Sequence, residues 1–70
     1  MRGLVTRFDA GTGVGQITAD DGARYGFHCT AILDGSRVIE VGTTVEFDVR
    51  PGLLGAWEAT SVAAAPRDDT

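Results

Sequence analysis

The chain reads as an all-β protein, a small barrel of five short strands. Three observations predict it. Apolar and polar residues alternate over short segments, most cleanly where Val45, Phe47 and Val49 interleave with Glu46 and Asp48. Ten glycines against two prolines suit many tight turns. No segment carries a convincing long helix. With no helix to cover sheet edges, closure into a barrel removes most of them.

Residues 3–8 form the first predicted strand, with Leu4, Val5 and Phe8 as strand formers around Thr6 and Arg7. Residues 9–13, Asp-Ala-Gly-Thr-Gly, turn the chain, since glycine reaches positive φ cheaply and aspartate caps its own backbone. Residues 14–19 return as a second strand. Its period of two places Val14, Gln16 and Thr18 on one face and Gly15, Ile17 and Ala19 on the other. Asp20-Asp21-Gly22 predicts a two-residue hairpin turn of the primed type. In the third strand, residues 24–28, Tyr25 and Phe27 take the core side, because burying an aromatic pair stabilises more than burying Gly26 and His28. These three strands make a meander.

Thr30-Ala31-Ile32 reads as one helical turn, and Asp34-Gly35-Ser36 as a loop anchored by Val38 and Ile39. Gly42 turns the chain into the fourth strand, residues 43–50, and Pro51-Gly52 turns it into the fifth, residues 56–64. Residues 1–65 are expected to form one domain and residues 66–70 a flexible tail, with fraying beginning near Ala65. A chain of 70 residues leaves no room for a second domain.

Composition narrows the function. The formal net charge is −4, and all six basic residues are arginine, so the overall basic footprint of a tight, sequence-independent nucleic-acid binder is missing. One cysteine cannot form an internal disulfide, which suits a reducing cytoplasm. Met1-Arg2 precedes no apolar run of signal-peptide length, and nothing approaches the roughly 20 apolar residues of a membrane span. Neither a signal peptide nor a membrane partner is expected.

Several short pieces, in order, resemble the cold-shock domain family. GLVTRF, from Gly3, is similar to its opening strand. GVGQI, from Gly13, resembles the first ribonucleoprotein motif, usually G-F-G-F-I. YGFHCTAI, from Tyr25, resembles the second, usually V-F-V-H with a small hydroxyl residue, alanine and isoleucine following. DGSRVIEVGTTVEFDV and WEATSV continue the match to about Val62. The resemblance implies a five-stranded oligonucleotide/oligosaccharide-binding barrel (OB-fold) whose second and third strands stack bases of single-stranded DNA or RNA. It places Val5, Ile17, Phe27, Ile32, Val45 and Phe47 in the core.

The base-stacking face departs from the family. Val14, Gln16 and Gly26 stand where aromatics are usual, Arg7 where a tryptophan is usual and Cys29 where an aromatic is common; Thr12 replaces a basic residue. Of the stacking rings, Phe8 and His28 remain. A stacked base is worth about 1–3 kcal/mol, so losing three or four platforms costs on the order of a thousandfold in affinity. Arginine offers compensation, because its guanidinium plane stacks on a base while contacting phosphate. The resemblance therefore implies a weak site for single-stranded RNA or DNA comprising Arg7, Phe8, Val14, Gln16, Arg24, Gly26 and His28, with Trp57 added as an exposed ring.

Each candidate has a plainer reading. His28 is either a base contact or an exposed strand histidine. Cys29 beside it does not suggest a Cys/His catalytic pair, because adjacent strand residues point to opposite faces unless the strand ends there. Asp20-Asp21 lacks a third ligand at calcium-loop spacing, so no metal is expected. Residues 11–15 are glycine-rich, but no helix follows and the chain has no lysine, which rules against a phosphate-cradling loop. The apolar residues 53–57 either fold onto the core or form a partner patch. Glu46, Asp48 and Glu58 read as a solvated acidic face. No catalytic constellation emerges, so the chain is read as a non-enzyme without cofactor or small-molecule substrate. The alternative function is a protein-interaction module on a barrel that no longer binds nucleic acid.

Overall fold

The structure, a computed structural model, describes residues 1–52 and 57–65. Its strands are β1 (Arg2–Asp9), β2 (Val14–Ala19), β3 (Arg24–His28), β4 (Thr44–Pro51) and β5 (Trp57–Ala64), with a 3₁₀ turn at Cys29–Ala31 after β3. They close in the order β1-β2-β3-β5-β4. β1, β2 and β3 are the antiparallel meander; β4 pairs antiparallel with both β1 and β5, and one parallel pair, Gly26 with Glu58, joins β3 to β5.

Inside lie Val5, Ile17, Ala19, Phe27, Ile32, Val45, Phe47, Ala59 and Val62. All six core positions implied by the resemblance are among them. Phe27 stacks against Phe8 with ring centroids 6.1 Å apart, and Tyr25 meets Phe47 at 5.7 Å, so the aromatics tie β1 to β3 and β3 to β4. Close-packed contacts of this kind supply most of the stability open to so short a chain, which buries only about 60% of its unfolded surface.

Two bulges let an irregular pattern face inward. Val5 opposes Ile17 but Arg7 opposes Gln16, so β1 carries an extra residue at Thr6. The slip lets Val5 and Phe8, three apart, both point to the core, and it turns Arg7 outward. On β5, Glu46 opposes Ala63 while Asp48 opposes Thr60. Ser61 sits in that bulge at φ 53°, and the shift lets both Ala59 and Val62 face inward.

Several local expectations are corrected. The β2–β3 turn is not a two-residue primed turn. Gly22 N–H donates to Ala19 C=O (2.9 Å) and Ala19 N–H to Ala23 C=O (2.7 Å), enclosing a three-residue loop in which glycine, and neither aspartate, has positive φ. That is a type I turn closed by a glycine bulge. Ile39 packs on the core as an anchor, but Val38 is exposed, because the loop after the 3₁₀ turn follows no strand alternation. The helical turn starts one residue earlier than expected, at Cys29. Ala65 donates its N–H to Thr44 C=O (2.9 Å), so it is tied to β4 and not frayed. Glu46 is exposed and Glu58 half-buried, and both are paired, with Arg2 (3.4 Å) and Arg50 (2.9 Å). The expected tail, residues 66–70, and the apolar residues 53–56 lie outside the described residues.

The remaining loops follow their chemistry. Asp9 accepts from Gly11 N–H through its carboxylate (2.9 Å) and from Gly13 N–H through its carbonyl (2.8 Å). Ser36 N–H donates to the Asp34 carboxylate (2.8 Å), which holds that exposed carboxyl below its usual range. No helix among the described residues is long and apolar enough to cross a membrane.

Candidate nucleic-acid interface

The outer face of the meander follows from strand register. Alternation turns Gly15, Ile17 and Phe27 inward, so their neighbours must point out. Across the sheet, Arg7 pairs with Gln16 and Gln16 with Gly26, while Asp9 pairs with Val14 and Val14 with His28. Five of the candidate residues, Arg7, Phe8, Val14, Gln16 and Gly26, line one open groove of about 620 Å³. Asp9, Thr12, Gly15 and Val41 complete it.

The other three candidates stand apart from that groove. His28 is exposed beside Val14 at its β3 end. Arg24 lies at the far end of β3, opposite Thr18. Trp57 is 56% exposed at the start of β5, next in sequence to the residue that bridges β3. Trp57 is not among the residues that line the groove, although its neighbour Glu58 pairs with Gly26.

Val41 is the residue that sequence reasoning missed. Gly42 N–H donates to Val5 C=O (2.7 Å) and Val5 N–H to Thr43 C=O (3.0 Å), which fastens the loop before β4 against the β1 bulge. The valine is thereby set at the groove, 61% exposed. No local signal in the sequence points there; the bulge that receives the loop is itself visible only as a broken alternation.

Charge on this face is small but available. Among the described residues the ion pairs involve Arg2 and Arg50, leaving Arg7 and Arg24 without carboxylate partners. Phe8 is half-buried against Phe27, so its ring serves the core and the groove together. Val14 is 51% exposed, a large apolar side chain held outward by the same alternation that buries Ile17.

His28 is held by its own turn. Its Nδ1 accepts from Thr30 N–H (3.3 Å) and bonds the Thr30 hydroxyl (3.0 Å), capping the 3₁₀ turn. Because β3 ends at His28, Cys29 does not alternate to the opposite face. Its Sγ lies 3.8 Å from the same Nδ1, closer than strand geometry predicts. That is a long contact even for sulfur, whose hydrogen bonds run longer than those of oxygen. Nδ1 is also already engaged by Thr30. The pair is a capping arrangement.

A closed five-stranded barrel with an open groove over its first three strands has the architecture of the OB fold. No family model matches the sequence, and no curated protein does. Among solved structures, the Drosophila Unr CSD456 structure is similar, with a TM-score of 0.78 and 27% identity over 99% of this chain. The match spans 28% of that longer chain. The barrel is therefore that of a cold-shock domain, and it fits the cold-shock domain family over essentially its whole length.

Proposed function

We propose that this chain binds single-stranded RNA or DNA weakly, through the groove over β1, β2 and β3. The observation that carries the reading is the convergence of Arg7, Phe8, Val14, Gln16 and Gly26 on one open groove, with the Arg7 guanidinium free of ion pairs among the described residues. Likeness to a cold-shock domain structure supports it. Affinity is low because Val14, Gln16 and Gly26 offer no ring, and each missing stacked base costs about 1–3 kcal/mol. His28 and Arg24 extend the contact along β3, and Trp57 meets a strand that leaves the groove toward β5. The chain acts as a binding module without cofactor or catalysis, in the cytoplasm.

The test is an amide NMR titration with mixed-sequence single-stranded DNA and RNA, at low and then physiological salt. Shifts gathered at Arg7, residues 14–18 and residues 26–30 are expected, fading as salt rises. Absence of shifts even at low salt and millimolar oligonucleotide sinks the proposal.

A second reading has its own observation. The same groove presents two largely exposed valines, Val14 and Val41, on a chain of net charge −4. Such a face suits a protein partner, and binding that persists at high salt without responding to oligonucleotides would favour it.

A further inference from the structure

Three groove positions stand in one row across the sheet. Arg7 on β1 is the partner of Gln16 on β2, and Gln16 is the partner of Gly26 on β3. Opposed residues on one face hold their Cβ atoms about 4.5–5.5 Å apart, so the guanidinium and the carboxamide address the same volume. The third position is an unfilled floor. A Cβ added at Gly26 would meet nothing nearer than the Gly15 carbonyl oxygen at 3.9 Å.

The polar groups beside that floor are unspent. Among the described residues, side-chain hydrogen bonds and ion pairs of arginine belong to Arg2 and Arg50, and Gln16 takes part through its backbone carbonyl, which accepts from Thr6. A fork of donors and an amide therefore flank a flat space walled by Val14. Aromatic platforms grip any base, since every base has a π-face. A row of hydrogen-bonding groups instead selects by base edge.

We propose that this row reads a single guanine in the bound strand. The base lies over Gly26, the Arg7 fork donates to its N7 and O6, and the Gln16 carboxamide donates to O6 and accepts from N1–H. Guanine presents two adjacent acceptors at that edge, whereas adenine presents one acceptor and one donor. Arginine has no acceptor to offer the adenine amino group. Pyrimidines lack the N7 edge and cover less of the floor. The inference rests on the nucleic-acid reading above and turns a general weak binder into a guanine-selective one.

The experiment is fluorescence anisotropy at low salt with short uridine RNAs carrying a central guanine, adenine, cytosine or uridine, repeated with thymidine DNAs. The guanine strands are expected to bind roughly tenfold tighter than the others, as one bidentate base contact provides. Arg7→Lys keeps the charge but loses the fork and the stacking plane, so it should weaken the guanine strand far more than the uridine strand and bring the ratio of their affinities close to one. Circular dichroism melting checks that this exposed variant is folded. Equal affinity for all four bases, or tightest binding of adenine or cytosine, overturns the guanine assignment and leaves the proposed function standing. An Arg7→Lys variant that keeps the preference removes Arg7 from the site. No binding of any strand overturns both readings.

Discussion

The inner and outer faces of β1, β2 and β3 are built from alternate residues of the same strands, yet they answer different demands. Inward, Val5, Ile17 and Phe27 are nearly fully buried, and Gly15 admits the Phe27 ring. Outward, Arg7, Val14, Gln16 and Gly26 are short or flexible side chains over an open groove. Every inner residue is fixed by its neighbours' volumes. The outer ones meet solvent, so the barrel tolerates wide changes there without losing its shape. Closure and recognition are thus carried by separate halves of each strand.

The largest way to break this contrast lies inside. Phe27→Ala removes a ring that stacks on Phe8 and fills the centre of the sheet, at a cost of about 3–5 kcal/mol. A domain of this length has about 4–10 kcal/mol to lose, so chemical denaturation should show the variant barely folded. Gly15→Ala attacks the same contact from β2. Its new Cβ would stand 2.6 Å from two Phe27 ring carbons and 2.9 Å from the Arg7 carbonyl oxygen, which forces about 1–3 kcal/mol of strain. Outward substitutions such as Val14→Ala should stay within about 0.5 kcal/mol. A comparable loss at Val14 would show that the two faces are not separable.

The outer face can be sharpened by addition. Val14→Phe with Gln16→Phe restores two rings on outward-facing strand positions, and each should add about 1–3 kcal/mol to oligonucleotide binding while leaving the denaturation midpoint almost unchanged. Titration calorimetry and denaturation on the same variant measure both. The added rings also remove the Gln16 carboxamide, so tighter binding should come with weaker base selectivity. A smaller effect comes from Arg24, which stands clear of the groove. Arg24→Ala should flatten the slope of log affinity against log salt by about 0.7, the amount expected for one lost phosphate contact on a single strand.

The same split explains what the sequence made legible. Inner positions announce themselves because burial demands apolar residues at a period of two, as in Val45-Glu46-Phe47-Asp48-Val49; the six core positions implied by the resemblance lie buried, while Tyr25 and Val49 pack half-buried against them. The two bulges broke that period, so the reading of β1 held no clean alternation and Arg7 could be placed only through the family resemblance. The β2–β3 turn was misread because Asp-Gly serves both a primed two-residue turn and the last two positions of a three-residue loop. Which one forms depends on the strand register, set by contacts far from the turn. Val41 was invisible for a similar reason: its place at the groove depends on hydrogen bonds from its loop to Val5. Cys29 was assigned away from His28 by strand alternation, which stops one residue too soon to apply.

The smallest test concerns the bulge that lets β5 serve the core. Ser61 is a non-glycine residue at φ 53°, a left-handed conformation that costs an L side chain roughly 1–2 kcal/mol. Glycine removes that cost but gives back about 0.5–1 kcal/mol through the greater freedom of the unfolded chain. Ser61→Gly should therefore stabilise the domain by about 0.5 kcal/mol, raising the melting temperature by about 2–4 °C. Ser61→Val should lower it, since a β-branched residue is poorly suited to positive φ. If both variants melt with the parent, the left-handed bulge is absent in solution. Val62 would then need another way to reach the core, and β5 would have to pair with β4 in a different register.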